Sequence, residues 1–339
     1  MKKVFLIICT CSLFLRLTAQ EEFDIALLHD SLNTSLRGLS VVDDTVIWVS
    51  GSKGYVGKSV NGGFTWDFKQ MPLYPSAEFR DIEAIDATTA VVMSSVEPAC
   101  ILKTTDGGMT WKEMFRDNDA AVFLDGFDFY DADHGVCIGD PIAGRFYILK
   151  TDDGGNTWTK VNNQTIVADS VAAFAASGTS IEYFSDGRIY FATGGKLSVI
   201  YASVDGGRTW KLNFTPIVSG KPSQGIFSMA FTDPDNGCII GGDYEVPESR
   251  DRNFALCSGG PGRMMTFDSA PGGYRSCAAY LNTLLIIACG SNGVDVFNTE
   301  NFAWTPVSST GFNVVQKAKK GTAVYFAGNN GRVGKLLVK

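Results

Sequence analysis

Ser203-Val-Asp-Gly-Gly-Arg-Thr-Trp210 repeats, with small changes, three stretches met earlier in the chain. These are Ser59-Val-Asn-Gly-Gly-Phe-Thr-Trp66, Thr104-Thr-Asp-Gly-Gly-Met-Thr-Trp111 and Thr151-Asp-Asp-Gly-Gly-Asn-Thr-Trp158. All four fit S/T-x-D/N-G-G-x-T-W, and their tryptophans lie 45, 47 and 52 residues apart, the length of a four-stranded propeller blade with its loops. Asn or Asp before Gly-Gly supplies left-handed backbone positions and a side chain that bonds its own turn, so two strands reverse tightly. The tryptophan then buries a large ring against the neighbouring blade. Asn61, Asp106, Asp153 and Asp205, with Trp66, Trp111, Trp158 and Trp210, are therefore read as folding devices rather than catalytic groups.

Outward from these turns, short apolar or alternating runs separated by turn residues read as strands. LRGLSVV, TVIWVSG, YVGKSV and FTWDF make a first blade, and FRDIEAI, TAVVMSS, CILKTT and TWKEMF a second. LDGFDFY, GVCIGD, RFYILKT and NTWTKV make a third; a fourth ends in IYFATG, SVIYASV and RTWKLNF, its innermost strand less defined. The fifth blade (IFSMAF, GCIIGGD, NFALCS, MMTFDS) keeps only Gly259-Gly260-Pro261-Gly262 of the turn, and the sixth (YRSCAAY, TLLIIACG, GVDVFN, FAWTPV) keeps only Trp304. FNVVQKA, TAVYFAG and VGKLLVK then lack a fourth strand, which residues 23–28 can provide from the other chain end. Such pairing closes the ring and leaves no long free edge. The expectation is an all-β, seven-bladed β-propeller with Asp-box turns, closed by its N-terminal strand; six or eight blades are the alternatives.

Hydrophobic residues make up 45% of the chain, charged residues 19%, and glycines number 37, a composition that excludes disorder. A net charge of −7 argues against a chain built to neutralise many phosphates. Lys2, Lys3, an apolar run from Val4 to Leu15 and Leu17-Thr18-Ala19 read as a signal peptide over 1–19, with one propeller domain at 20–339 and a periplasmic or extracellular location. The run is shorter than the roughly 20 apolar residues of a bilayer crossing. Cys100, Cys137, Cys238, Cys257, Cys277 and Cys289 would remain in the mature chain. They allow disulfides, but several end apolar strand-like runs, where packed thiols fit. With His29 and His134 the only histidines, and no C-x-x-C, no metal site is expected.

The Asp boxes, with Gly139-Asp-Pro-Ile-Ala-Gly-Arg-Phe146, Ala173-Phe-Ala-Ala-Ser-Gly178, Gly241-Gly-Asp243 and Gly272-Gly-Tyr-Arg-Ser276, resemble a bacterial family of Asp-box (BNR-repeat) propellers. That family is related to the photosystem II stability and assembly factors of cyanobacteria and chloroplasts. The resemblance covers essentially the whole mature chain, though sialidases and sortilin-type receptors share the boxes. It implies a propeller that binds other proteins. Family members often carry the label "oxidoreductase", which finds no G-x-G-x-x-G between a strand and a helix to rest on, and no cofactor is expected.

Function has to be argued from a site. Loops before the inner strand and after the second strand of each blade meet at one channel mouth, opposite the Asp boxes. Arg37, Arg80 and Arg275 start inner strands at equivalent points, Asp125 does so in the third blade, and Asp140, Arg145, Asp243 and Tyr244 end second strands or follow them. Guanidiniums converging there would take a ligand carrying carboxylates; alternatively each pairs with a nearby acid, as Arg80 could with Asp81 or Glu83. The residues favour an exported, non-catalytic binding module for a protein or glycan. The alternative is a sialidase-like glycoside hydrolase or lyase acting on an anionic sugar. Phe79-Arg80-Asp81-Ile82 lacks the proline of the sialidase Phe-Arg-Ile-Pro signature, and paired carboxylates about 5 to 9 Å apart would be needed for ordinary glycoside hydrolysis. His134 reads as a turn residue, and no G-x-S-x-G elbow is present.

Overall fold

A computed structural model describes residues 22–96, 98–167 and 171–339, so the segment read as a signal peptide lies outside the described residues. Seven antiparallel sheets form the ring. From inner to outer strand, blade 1 is Leu36–Val41, Ile47–Gly51, Tyr55–Ser59 and Asp67–Gln70. Blade 2 is Phe79–Ala84, Ala90–Ser94, Ala99–Thr104 and Lys112–Asp117. Blade 3 is Leu124–Phe129, Gly135–Ile142, Arg145–Thr151 and Thr159–Lys160. Blade 4 is Ile181–Tyr183, Ile189–Ala192, Val199–Ser203 and Lys211–Phe214. Blade 5 is Lys221–Asp233, Asn236–Asp243, Phe254–Ser258 and Met264–Met265. Blade 6 is Cys277–Tyr280, Leu285–Gly290, Gly293–Asn298 and Ala303–Ser308. Blade 7 takes Val314–Lys317, Val324–Ala327 and Val333–Val338 from the C-terminal end and Phe23–His29 from the N-terminal end, with Phe23 opposite Val338 and Leu27 opposite Gly334.

In the repeated turn at 104–111, the Thr104 hydroxyl donates to Asp106 at 2.8 Å and accepts the Gly108 N–H at 3.0 Å. Asp106 in turn accepts the backbone N–H of Thr110 at 2.9 Å and its hydroxyl at 2.5 Å. These donors, the Thr110 hydroxyl foremost, hold the Asp106 carboxyl down at about 2. Its charge is spent on the turn. Gly107 and Gly108 both have left-handed φ, +77° and +83°, which an L side chain resists. The fifth blade keeps that pair at Gly259 and Gly260 although its Asp is gone.

The core lies between blades. Trp111 of blade 2 meets Trp48 of blade 1 edge-on at 6.2 Å, and Trp210 of blade 4 packs in a cluster containing Ile138 and Phe146 of blade 3. In blade 6, Trp304 lies 4.9 Å from Phe254 of blade 5. Each blade thus buries one face on the blade before it, which is why an isolated blade cannot be stable and the repeat must close. The six cysteines among the described residues are all buried and free.

Blade 4 departs from the repeat. Its inner strand has three residues, and Gly194–Gly195 and Val171–Ala172 add to the inner edge of blade 5 instead, making a sheet of six strands. The chain between them and the inner strand, Ala173 to Ser180, crosses the channel as a strap.

Candidate functional site

The inner strands of blades 1, 2, 3 and 5 each carry a bulge near their start. The pairing skips one residue between Leu36 and Gly38, Phe79 and Asp81, Leu124 and Gly126, and Ile226 and Ser228. The skipped residues are Arg37, Arg80, Asp125 and Phe227. A bulge re-aims its side chain, here at the mouth opposite the repeated turns.

The strap fills that mouth. Arg37 Nη1 donates to the Ala176 carbonyl and Arg80 Nη1 to the Ala175 carbonyl, both at 3.2 Å. The Ala173 N–H donates to the Asp140 carboxylate. Ser177 Oγ donates to the Ser276 carbonyl at 2.9 Å, Thr179 Oγ1 to Ser228 Oγ at 2.7 Å, and the Met229 N–H to the Thr179 carbonyl at 2.8 Å. Phe174 stacks on Phe227 with centroids 4.0 Å apart, and Phe227 meets Tyr274 edge-on at 4.8 Å and Tyr244 at 6.0 Å. One short segment therefore ties blades 1, 2, 3, 5 and 6 together. Gly178, with φ +73°, lies against the Asp81 carboxyl, where a Cβ would strike it.

Arg80 also pairs with Glu78 at 3.1 Å, not with Asp81 or Glu83. Arg37 makes its one side-chain hydrogen bond, among the described residues, to Ala176, and its other donors stay available. Burial and then the adjacent Arg80 charge pull the Arg37 guanidinium below its ordinary range. It stays cationic all the same.

Asp125 is fully buried, and neither carboxyl oxygen has a hydrogen-bond partner among the described residues. Burial, with the Asp140 charge beside it, drives its carboxyl far up; burial lifts Asp140 to about 6 against the pull of the Ala173 N–H. Arg80 opposes the rise at Asp125, while its own Nε is buried and unpartnered.

The remaining sequence candidates separate from this group. Arg275 is not equivalent to Arg37 and Arg80. Gly51, Gly139, Gly241 and Gly290 of the second strands face the approach to the inner strand of their blades, and a Cβ on each would strike the carbonyl oxygen of Ser35, Phe123, Gly225 and Tyr274 respectively. Arg275 thus aligns with Leu36, Leu124 and Ile226, one residue before the bulge, and a one-residue slip turns a side chain to the other face. It is 2% exposed, its Nε donates to Asp295 at 2.7 Å, and its Nη1 donates to Asn292 Oδ1 at 2.6 Å and the Tyr274 carbonyl at 2.8 Å. Asp243 accepts from Gln224 and from the Glu245 N–H, both at 3.0 Å; burial works against it, but these donors and Ser223 hold its carboxyl below the usual range. Arg145 is exposed and donates to the Asn163 carbonyl at 3.0 Å, among residues lining a groove on the outside of blade 3. Tyr244 is half exposed beside Phe227. His134 stays in its surface turn, bonded to Asp131 at 2.9 Å and stacked on Tyr130.

Beyond the strap, the channel opens towards the repeated turns as a cavity of about 280 Å³, lined by Asp81, Glu83, Asp128, Glu182, Tyr280 and Lys317 among others. Sequence reasoning passed over these acids. Alternation in FRDIEA, LDGFDF and IEY was the signal that would have turned them to the channel. Burial lifts Asp81 to about 8 and Asp128 to about 6. Among the described residues no three metal-ligating side chains cluster, and no helix is long and apolar enough to cross a membrane.

No family model matches the sequence, and no curated protein matches it. Among solved structures the chain is similar to "YCF48 bound to D1 peptide", with TM-score 0.66 and 15% identity over 94% of this chain and 97% of that one. It is also similar to "YCF48 from Cyanidioschyzon merolae", with TM-score 0.64 and 16% identity over 92% and 98% of the two chains. These neighbours agree with the resemblance to photosystem II assembly-factor propellers drawn from the repeats. At such identities the shared property is the fold: the chain is a seven-bladed β-propeller of the architecture seen in YCF48.

Proposed function

We propose that this protein is an exported, non-catalytic propeller that binds a protein segment at the strap-side mouth, with Arg37 and Arg80 receiving carboxylate groups and the half-exposed Tyr244 offering an apolar contact. The observation that carries this reading is the adjacency of two half-buried guanidiniums, one with most of its donors unspent, beside an aromatic shelf. Charge-assisted forks to carboxylates are strong, and an aromatic neighbour adds apolar area. A solved neighbour in the same fold is bound to a D1 peptide, which supports a peptide as the class of ligand.

The glycosidase alternative gains no support from the same site. Its best carboxylate pair is Asp125 with Asp140, and Asp125 is sealed under the strap, beyond reach of a sugar ring. Export is proposed from residues 1–19 alone, and N-terminal sequencing of the mature protein tests it, with a start near Gln20 expected.

The binding test is affinity capture with the mature protein from its native envelope extract, followed by titration of the captured partner's segments as synthetic peptides. Arg37→Ala and Arg80→Ala should each weaken binding about tenfold or more, and added salt should weaken it further. Capture and affinity unchanged in both variants would sink the assignment.

A further inference from the structure

The strap rests on a polar group that the closed mouth leaves incomplete. Both Asp125 oxygens, Asp140 Oδ1 and Arg80 Nε are buried without partners among the described residues. Buried polar atoms are rarely left so unless something outside the protein completes them. Two ionised carboxylates side by side in a dry site are strongly disfavoured, and a proton held between them is the smallest addition that satisfies both.

The charged and titratable surroundings are few. Asp125 faces Asp140 and Cys137 from the second strand of its own blade, and Arg80 from the inner strand of blade 2. Arg80 is in turn held by Glu78 and lies near Arg37. The strap itself, Ala173 to Ser180, brings no ionisable side chain to the group. Both of its anchors at this end run through that group: the Ala173 N–H on Asp140 and the Ala175 carbonyl on Arg80.

We propose that the strap is a proton-coupled lid over the Arg37–Arg80 mouth: Asp125 and Asp140 share one proton while the strap is closed, and release of that proton to solvent accompanies its lifting. The closed state covers the arginines with the strap's own carbonyls, which occupy the positions that a partner's carboxylates would take. The inference rests on the binding reading only for its consequence, since lid opening itself involves no partner. The sign follows from linkage. A carboxyl pair that holds its proton more tightly when closed than when open stabilises closure at low pH, and that stabilisation is lost as pH rises through the closed-state value, about 6 for Asp140.

Hydrogen exchange of the intact mature protein, read by mass spectrometry on peptides covering 171–180 between pH 5 and 8.5 and corrected for intrinsic exchange rates, tests this. Release of one proton per opening predicts an opening constant that rises about tenfold per pH unit until the pair titrates in the closed state, and levels off above that point. Asp125→Asn supplies a permanent donor in place of the proton and should keep the strap protected with no pH slope; Asp140→Asn should also remove the slope. Peptides from Ala99–Thr104 report global folding in each variant. A flat wild-type profile, or an equal slope in wild type and the folded variants, would overturn the proposal. Neither result bears on binding, which the arginine variants decide separately.

Discussion

The Asp128 carboxylate accepts the backbone N–H of Tyr183 at 2.6 Å, joining the inner strand of blade 3 to that of blade 4. The same relation recurs round the ring. Ser40 Oγ accepts from the Ala84 N–H at 3.0 Å, Asp81 from Phe127 at 3.0 Å, Glu182 from Phe231 at 3.1 Å and Ser228 Oγ from Ala278 at 3.1 Å. Inner strands have no further strand to pair with, so their edge N–H groups face the channel. At these five junctions a side chain of the preceding blade satisfies one of them.

Removing such an acceptor strands a donor. Asp128→Ala should lower unfolding stability by about 1–3 kcal/mol, and Ser228→Ala by about 1 kcal/mol, in urea titrations with an unchanged m-value. Midpoints equal to wild type in both would mean that these bonds do not hold the blades together.

Asp81 gives a pH dependence. Burial lifts its carboxyl to about 8 in the folded chain, against about 3.9 unfolded. A raised carboxyl favours the protonated fold, so its contribution is complete below about pH 4 and is lost as pH rises through 8. The wild type should therefore lose stability relative to Asp81→Asn between pH 5 and 8, by at most about 1.4 kcal/mol per pH unit. Urea unfolding of both proteins across that range checks it; parallel curves would refute the assignment.

At Gly178 two penalties coincide, a left-handed φ and the contact with Asp81. Gly178→Ala should cost about 2–3 kcal/mol and loosen the strap. Gly187 has φ +87° but open space around it, so Gly187→Ala should cost only about 1 kcal/mol. Thermal melts of the pair separate the contact from the backbone strain; equal costs would show that the contact with Asp81 is relaxed freely.

Arg275→Met leaves Asp295 buried without its cation and should destabilise by about 3–5 kcal/mol, while Arg275→Met combined with Asp295→Leu should recover most of that loss. Denaturation of both variants decides, and a double variant no better than the single one would place the effect in packing instead.

The repeated turns were legible because all of their chemistry is local: Asp106, Gly107, Gly108 and Thr110 complete one another within a few residues. The bulges were not, since Arg37 and Arg275 both precede a short apolar inner strand and differ only in register. The glycines ending the second strands, Gly51 and Gly290 among them, carry that register, but only once their cross-strand partners are known. The strap's sequence gives no sign of its place in the fold. Ala173-Phe-Ala-Ala-Ser-Gly178 has no strand period, and its partners come from five other blades. The channel acids were passed over because their backbone partners lie about 50 residues away, in the next blade.

The pairing of Phe23–His29 with Val333–Val338 sets an order of events in time. Of the described strands, the first made is the last to find its place, since its partner is the last of them to be synthesised. Until then it must stay unpaired while six sheets assemble behind it, and the closing contact spans almost the entire contour of the chain. Contacts of such long separation form slowly. The last step of maturation should thus be a single latch whose loss exposes one edge in blade 7, so a missing N-terminal strand would slow completion and favour association through that edge more than it would alter the other six blades.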